Sequence, residues 1–174
     1  MNILAISGSL QSQSSNSALV RHTAAHCGNG LEVHVFDQLA ELPHFNPELD
    51  GEDPPAAVRT LRAMAGAADA VLIASPEYAH EMPGSLKNAP DWLVSSGELY
   101  GKPAALLCGS PSQERGAFAR EALQRTLEAE GARVVMSTTV AMQRSTSGAP
   151  QIDPDAAHVV MSALETLRRA CDGP

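Results

Sequence analysis

The chain has 174 residues with 12 basic and 20 acidic side chains, a formal net charge of −8 at pH 7, and only 3% aromatic residues. That length suits one domain, residues 1–174, able to bury about two-thirds of its unfolded surface in a single core, and an acidic chain with no cluster of Lys or Arg excludes a nucleic-acid-binding face. Cys27, Cys108, Cys171 and the six histidines lie scattered without ligand spacing, which argues against a disulfide framework or a metal site, and no apolar stretch approaches the length of a membrane span.

Met1 and Asn2 are followed at once by Ile3-Leu4-Ala5-Ile6, too short an apolar run for a buried helix and suited to a central parallel strand. With no charged leader or cleavable apolar segment ahead of it, a cytoplasmic protein is expected. The run stops in Gly8-Ser9-Leu10-Gln11-Ser12-Gln13-Ser14-Ser15-Asn16, where hydroxyls, amides and backbone N–H groups precede a helix predicted over 16–26. Such a helix start attracts anions through its free N–H groups and its dipole. The same residues also describe an ordinary polar loop with a Ser or Asn cap.

Residues 31–36 alternate apolar and polar side chains, as a strand near a sheet edge does. Pro43, Pro47, Gly51, Pro54 and Pro55 then mark a long loop over 37–55. A helix from Pro55 to Gly66 carries Val58, Leu61, Met64 and Ala65 on its inner face and leads to a buried strand over 70–74. A loop over 75–83 precedes a helix predicted over 84–95, which Pro90 should kink by removing one hydrogen bond. A strand over 104–108, a Gly-, Ser- and Pro-rich loop over 109–116, and a helix with Phe118, Ala122, Leu123 and Leu127 facing the core follow. The last elements are a strand over 132–136, a breaker-rich connection over 144–154, and a helix lined by Val159, Val160, Ala163, Leu164 and Leu167.

Five strands alternating with five helices predict a doubly wound α/β sandwich, because parallel neighbours need right-handed helical crossovers that cover both faces. Strand order 2-1-3-4-5 fits best and puts the switch point between the first and third strands, where the loops beginning at Gly8, Ser75 and Gly109 emerge. The first loop lacks the Gly-Lys-Ser/Thr ending of a Walker loop and the glycine partners of GxGxxG, which disfavours a nucleoside triphosphate or a Rossmann-bound dinucleotide. A monophosphate held by hydroxyls and amides remains, as for FMN at the switch point of flavodoxin-like folds.

Gly8-Ser9-Leu10 with Ser14 and Asn16, together with Ser75-Pro-Glu-Tyr-Ala-His-Glu-Met-Pro-Gly-Ser-Leu-Lys-Asn-Ala-Pro-Asp-Trp-Leu93, resembles the NADPH-dependent FMN reductase family of flavodoxin-like proteins, which includes quinone, chromate and azo-dye reductases. The resemblance spans nearly the whole chain, and the second stretch is its specific part. It implies that Ser9, Gln11, Ser14, Ser15 and Asn16 hold the FMN phosphate, that Pro76, Glu77, Tyr78 and Ala79 meet the flavin ring, and that Gly109, Ser110 and Gly116 approach the ring and ribityl chain. NADPH or NADH would reduce the flavin, whose open face would then reduce a small-molecule acceptor such as a quinone, a flavin, an azo dye or a metal oxyanion. No protein base is expected, since the flavin carries the chemistry. A homodimer or homotetramer is also implied, with the helix bearing Trp92 and Leu93 as the expected contact face.

Three departures from the family pattern stand out. Gln11 replaces an arginine, exchanging a charge-assisted phosphate contact for a neutral one. Ala79 replaces an asparagine near the ring, and His80 replaces an aromatic residue. Two rival readings remain at this stage: a non-enzymatic electron carrier like flavodoxin, and a flavin-free domain that kept the fold. The poverty in aromatics and the Pro-Glu-Tyr loop speak against the carrier.

Overall fold

A computed structural model describes residues 1–28 and 30–173. Its strands are β1 (Asn2–Ser7), β2 (Glu32–Phe36), β3 (Ala70–Ala74), β4 (Pro103–Ser110) and β5 (Arg133–Ala141). Its α-helices are α1 (Ser15–Ala25), α2 (Ala56–Ala67), α3 (Gly84–Asp91), α4 (Ala117–Ala129) and α5 (Pro154–Cys171). All strands are parallel, in the expected order β2-β1-β3-β4-β5, with β2 at one edge.

Side chains alternate across a strand, so the near-continuous apolar runs of β1, β3 and β4 supply both faces of the sheet. Ile3, Ala5, Leu72 and Leu107 pack with Leu19 of α1 and Val160 and Leu164 of α5. Leu4, Ile6, Val71, Ile73 and Leu106 pack on the other side with Leu61 of α2, Leu86 of α3 and Leu123 of α4. Fully burying each such side chain contributes roughly 1.5–3 kcal/mol relative to leaving it in water.

Several boundaries differ from the sequence expectation for local reasons. Strand β5 runs five residues past Met136, because Ser137, Thr138 and Thr139 pair with Leu106, Leu107 and Cys108 of β4. Thr suits a pleated strand although it reads as a turn residue. Strand β4 in turn takes in Gly109 and Ser110, which pair with Val140 and Ala141, so the third loop starts later than expected. Helix α3 stops at Asp91 rather than bending at Pro90: Trp92 N–H turns back to the Ala89 carbonyl at 3.2 Å and Leu93 N–H to Pro90 at 2.7 Å.

Trp92 and Leu93 are buried within the chain, which corrects the expectation that they form a subunit contact. Trp92 Nε1–H and Asn88 Nδ2–H both donate to the Pro43 carbonyl at 2.8 Å, and Asn88 Oδ1 accepts from Phe45 N–H at 2.8 Å. These side chains anchor the proline-rich loop over 37–55. Phe118 also departs from its expected core position, for it is 53% exposed while Ala119, Ala122, Leu123 and Leu127 fill the inner face of α4. None of the helices among the described residues is long and apolar enough to cross a membrane.

Candidate functional site

At the carboxyl edge of the sheet the chain ends after β1, β3 and β4 are stitched to one another. Gly8 N–H donates to the Ala74 carbonyl at 2.8 Å, and Ser75 N–H donates to Leu107 at 2.9 Å. A Cβ at Gly8 would stand 2.8 Å from Leu86 Cδ2 and 3.1 Å from Ser75 Oγ, so a larger residue there would have to displace the Leu86 side chain of α3.

The first loop turns on its own hydroxyls. Ser7 Oγ and Ser17 Oγ lie 2.9 Å apart, and Ser9 Oγ accepts from Gln11 N–H at 3.3 Å. Ser14 is the cap of α1, its Oγ accepting from Asn16 N–H at 3.1 Å and Ser17 N–H at 3.5 Å. Buried Asn16 spans to the third loop, its Oδ1 accepting from Gly109 N–H at 2.8 Å. The N–H groups of Ser12, Gln13 and Ser15 meet no acceptor among the described residues. Unpaired donors beside the positive end of a helix are the donor set a phosphate monoester requires. Ser9, Gln11, Ser12, Ser17 and Arg21 also border a cavity of about 450 Å³ whose other wall is the end of β2, with Val35, Phe36 and Asp37.

The second loop folds into a two-residue turn. Tyr78 N–H donates to the Glu81 carbonyl at 2.9 Å and Glu81 N–H returns to Tyr78 at 3.0 Å, while Ala79 and His80 hold φ of 51° and 61°. Two successive left-handed residues make this a turn of the I′ kind. Tyr78 is 57% exposed, which removes it from the core of the chain. Glu77 reaches the third loop: its Oε2 accepts from Ala119 N–H in the first turn of α4 at 3.2 Å, and its Oε1 lies 3.5 Å from His80 Nδ1. The His80 ring packs edge-on against Phe118 with centroids 4.6 Å apart.

The third loop is held from below by β5. Met142 N–H donates to the Ser110 carbonyl at 2.8 Å, and Thr139 Oγ1–H donates to the Arg115 carbonyl at 2.8 Å. Gly116 starts α4 with φ of 87°, and a Cβ there would lie 2.2 Å from Cys108 Sγ. Burial pushes the Cys108 thiol up to about 11, against the pull of Arg120, so it stays protonated and unreactive at neutral pH. Arg120 is half-buried, with Nη1 donating to Ser137 Oγ at 3.0 Å and Nε without a partner among the described residues.

Between the second and third loops lies a cavity of about 490 Å³ bordered by Pro76, Glu77, His80, Gly109, Ser110 and Gly116 among others. That volume is within the range of small-molecule sites. A larger depression of about 700 Å³ between α3 and α4 lies away from the switch point. The structure therefore gathers the predicted residues of the second and third loops, apart from Tyr78 and Ala79, around one cavity. Ser14, Ser15 and Asn16 lie at the start of α1, and Ser9 and Gln11 border the separate cavity beside the end of β2. Tyr78 and Ala79 form the outer turn. Arg21, which the sequence did not single out, and Phe118, which it placed in the core, line these cavities. Arg21 follows Ser17 by four residues, and that helical spacing was the available signal.

Residues 1–147 match the family described as NADPH-dependent FMN reductase. An NAD(P)H-dependent FMN reductase of Pseudomonas aeruginosa is 38% identical over 129 residues, covering 73% of this chain and 69% of that protein. A quinone reductase of Escherichia coli is 31% identical over 130 residues, with the same 73% and 69% coverage. Among solved structures, the flavoenzyme FerB of Paracoccus denitrificans, an NAD(P)H:(acceptor) oxidoreductase, superposes with a TM-score of 0.81 at 27% identity, covering 98% of this chain and 97% of that one.

Proposed function

The chain belongs to the NADPH-dependent FMN reductase family, and we propose that its residues 1–174 act as one flavin-binding domain that passes electrons from NADPH or NADH through FMN to a small acceptor. Quinones come first among acceptors, because quinone reductases stand among its relatives, with free flavin, azo dyes and metal oxyanions as further members of the class. The observation that carries the reading is the meeting, at the switch point, of unpaired N–H donors at the start of α1 with a cavity of about 490 Å³ between the next two loops.

In this reading Ser9, Gln11, Ser14, Ser15 and Asn16 surround the phosphate. Pro76 and Glu77 border the ring, Tyr78 and Ala79 stand in the turn at the outer end of that loop, and Gly109, Ser110 and Gly116 bring backbone against ring and ribityl chain. FMN, when bound, supplies the hydride-accepting centre. The protein's own task is positional. Glu77 ties the second loop to α4 and Asn16 ties α1 to the end of β4, so the loops that wall the cavity are joined to one another. Donors and acceptors at the cavity rim can orient a planar ligand while small residues let the backbone approach it.

The purified chain, given FMN, is expected to quench flavin fluorescence and to oxidise NADPH or NADH when a quinone is present. No FMN binding at tens of micromolar would overturn the reading. FMN binding without nicotinamide oxidation would point instead to a one-electron carrier. A homodimer or homotetramer in the cytoplasm completes the proposal, supported by the exposed apolar side chains of Val94, Tyr100 and Phe118. Light scattering of the same preparation checks the assembly, and a monomeric mass would refute it. Cell fractionation checks the compartment, a membrane or secreted fraction being the contrary result.

A further inference from the structure

From Asn2 to Val20 the chain has no Lys or Arg, and the second loop adds none before Lys87. The phosphate loop of a protein with net charge −8 thus carries no cation of its own. A phosphate dianion in that loop would be held by neutral donors and the helix dipole alone. The nearest cation in sequence is Arg21, in the second turn of α1.

Helical side chains tilt toward the N-terminus of their helix, which carries the Arg21 arm back toward the loop it follows. Its Nη1 lies 3.5 Å from the Ser12 carbonyl, a contact at the outer limit of a hydrogen bond. Arg21 is exposed, and it forms no ion pair among the described residues. It shares the 450 Å³ cavity with Ser9, Gln11, Ser12 and Ser17. Asp37 is the one carboxylate bordering that cavity. An unpaired guanidinium beside the free N–H groups of Ser12 and Gln13 has more to gain from a dianion than from the carbonyl it now touches.

We infer that Arg21 supplies the cationic contact to the ligand's phosphate, in place of the charge that Gln11 does not provide. The inference rests on the FMN reading above and names the residue that makes the loop selective for a phosphorylated flavin. Gln11 then serves as a neutral neighbour, and the arginine reaches the phosphate from the helix rather than from the loop.

Riboflavin separates the charge contact from the shape of the site, since it carries the same ring and ribityl chain without the phosphate. Fluorescence titration of Arg21→Gln is expected to show FMN affinity lower by about tenfold, the scale of one charge-assisted hydrogen bond, with riboflavin affinity unchanged. FMN affinity of the parent should fall with added salt, and that of Arg21→Gln should fall less. Arg21→Lys should recover part of the FMN affinity. Equal losses for both flavins would show a structural role and overturn the assignment, as would FMN affinity that survives Arg21→Gln intact. A parent chain that binds neither flavin sinks the FMN reading and this assignment with it, whereas a parent that binds FMN as tightly as Arg21→Gln does sinks the assignment alone.

Discussion

Ala79 and His80 occupy a conformation that their Cβ atoms oppose. Left-handed backbone costs a non-glycine residue roughly 1–2 kcal/mol, and a I′ turn demands it twice in succession. The turn persists because Tyr78 and Glu81 close it with two hydrogen bonds and because Glu77, just before it, is fixed to α4. Asn tolerates this region far better than Ala. Ala79→Asn is therefore expected to stabilise the chain by roughly 0.5–1 kcal/mol, read as a thermal midpoint higher by about 1–4 °C. An unchanged or lower midpoint would refute this account. The residue that stands out against the family pattern thus has a backbone explanation that the sequence alone did not reveal. From sequence, the loss at position 79 reads as a missing amide near the ring; with φ of 51° in hand, it is a missing relief of strain.

Helix α4 begins on a residue that cannot cap it. Gly116 has no side chain, and the Ala119 N–H in the first turn takes its acceptor from Glu77, 42 residues earlier in the chain. A carboxylate at that end is favoured by both the unpaired N–H groups and the dipole. Glu77→Ala should cost about 1 kcal/mol in a urea titration and should weaken FMN and riboflavin alike, because it loosens a wall and leaves the phosphate contact alone. An unshifted urea midpoint would show that solvent replaces the carboxylate without loss. Strand order, the central strands and the three loops at the switch point were legible because alternation, helical spacing and breakers are local signals. Glu77 to Ala119 and Asn16 to Gly109, 93 residues apart, join distant stretches, and no periodicity announces such a tie. Phe118 misled for a related reason. Its spacing suits the inner face of α4, yet it sits in the first turn, where Ala119 takes the buried position and the Phe118 ring stays half-exposed, edge-on to His80.

At the scale of the whole molecule, stability should have an acid limb and a neutral limb with different owners. Two hydrogen bonds, from Arg62 and Ser95, hold the Asp50 carboxyl below its usual range, so the stability it contributes is lost as pH falls through that lowered value. Glu130 works in the opposite sense. It caps the carboxyl end of α4, where a negative charge meets the negative end of the dipole. Burial pushes its carboxyl up to about 7, with Asp91 adding to the rise and Lys87 opposing it, and its Oε2 has no hydrogen-bond partner. Below the ordinary carboxylate range Glu130 is protonated in both folded and unfolded chains and has no effect on the pH slope. Between that range and about 7 the folded chain keeps a proton that the unfolded chain releases, so stability falls as pH rises. Glu130→Gln cannot ionise and removes this fall. The variant is expected to match its parent near pH 5 and to exceed it near pH 8 by about 1 kcal/mol, a figure discounted for the partial exposure of the site. Urea midpoints at the two pH values measure the difference directly. A constant offset at both would assign the effect to packing, and a gain confined to the acid side would reverse the sign of the argument.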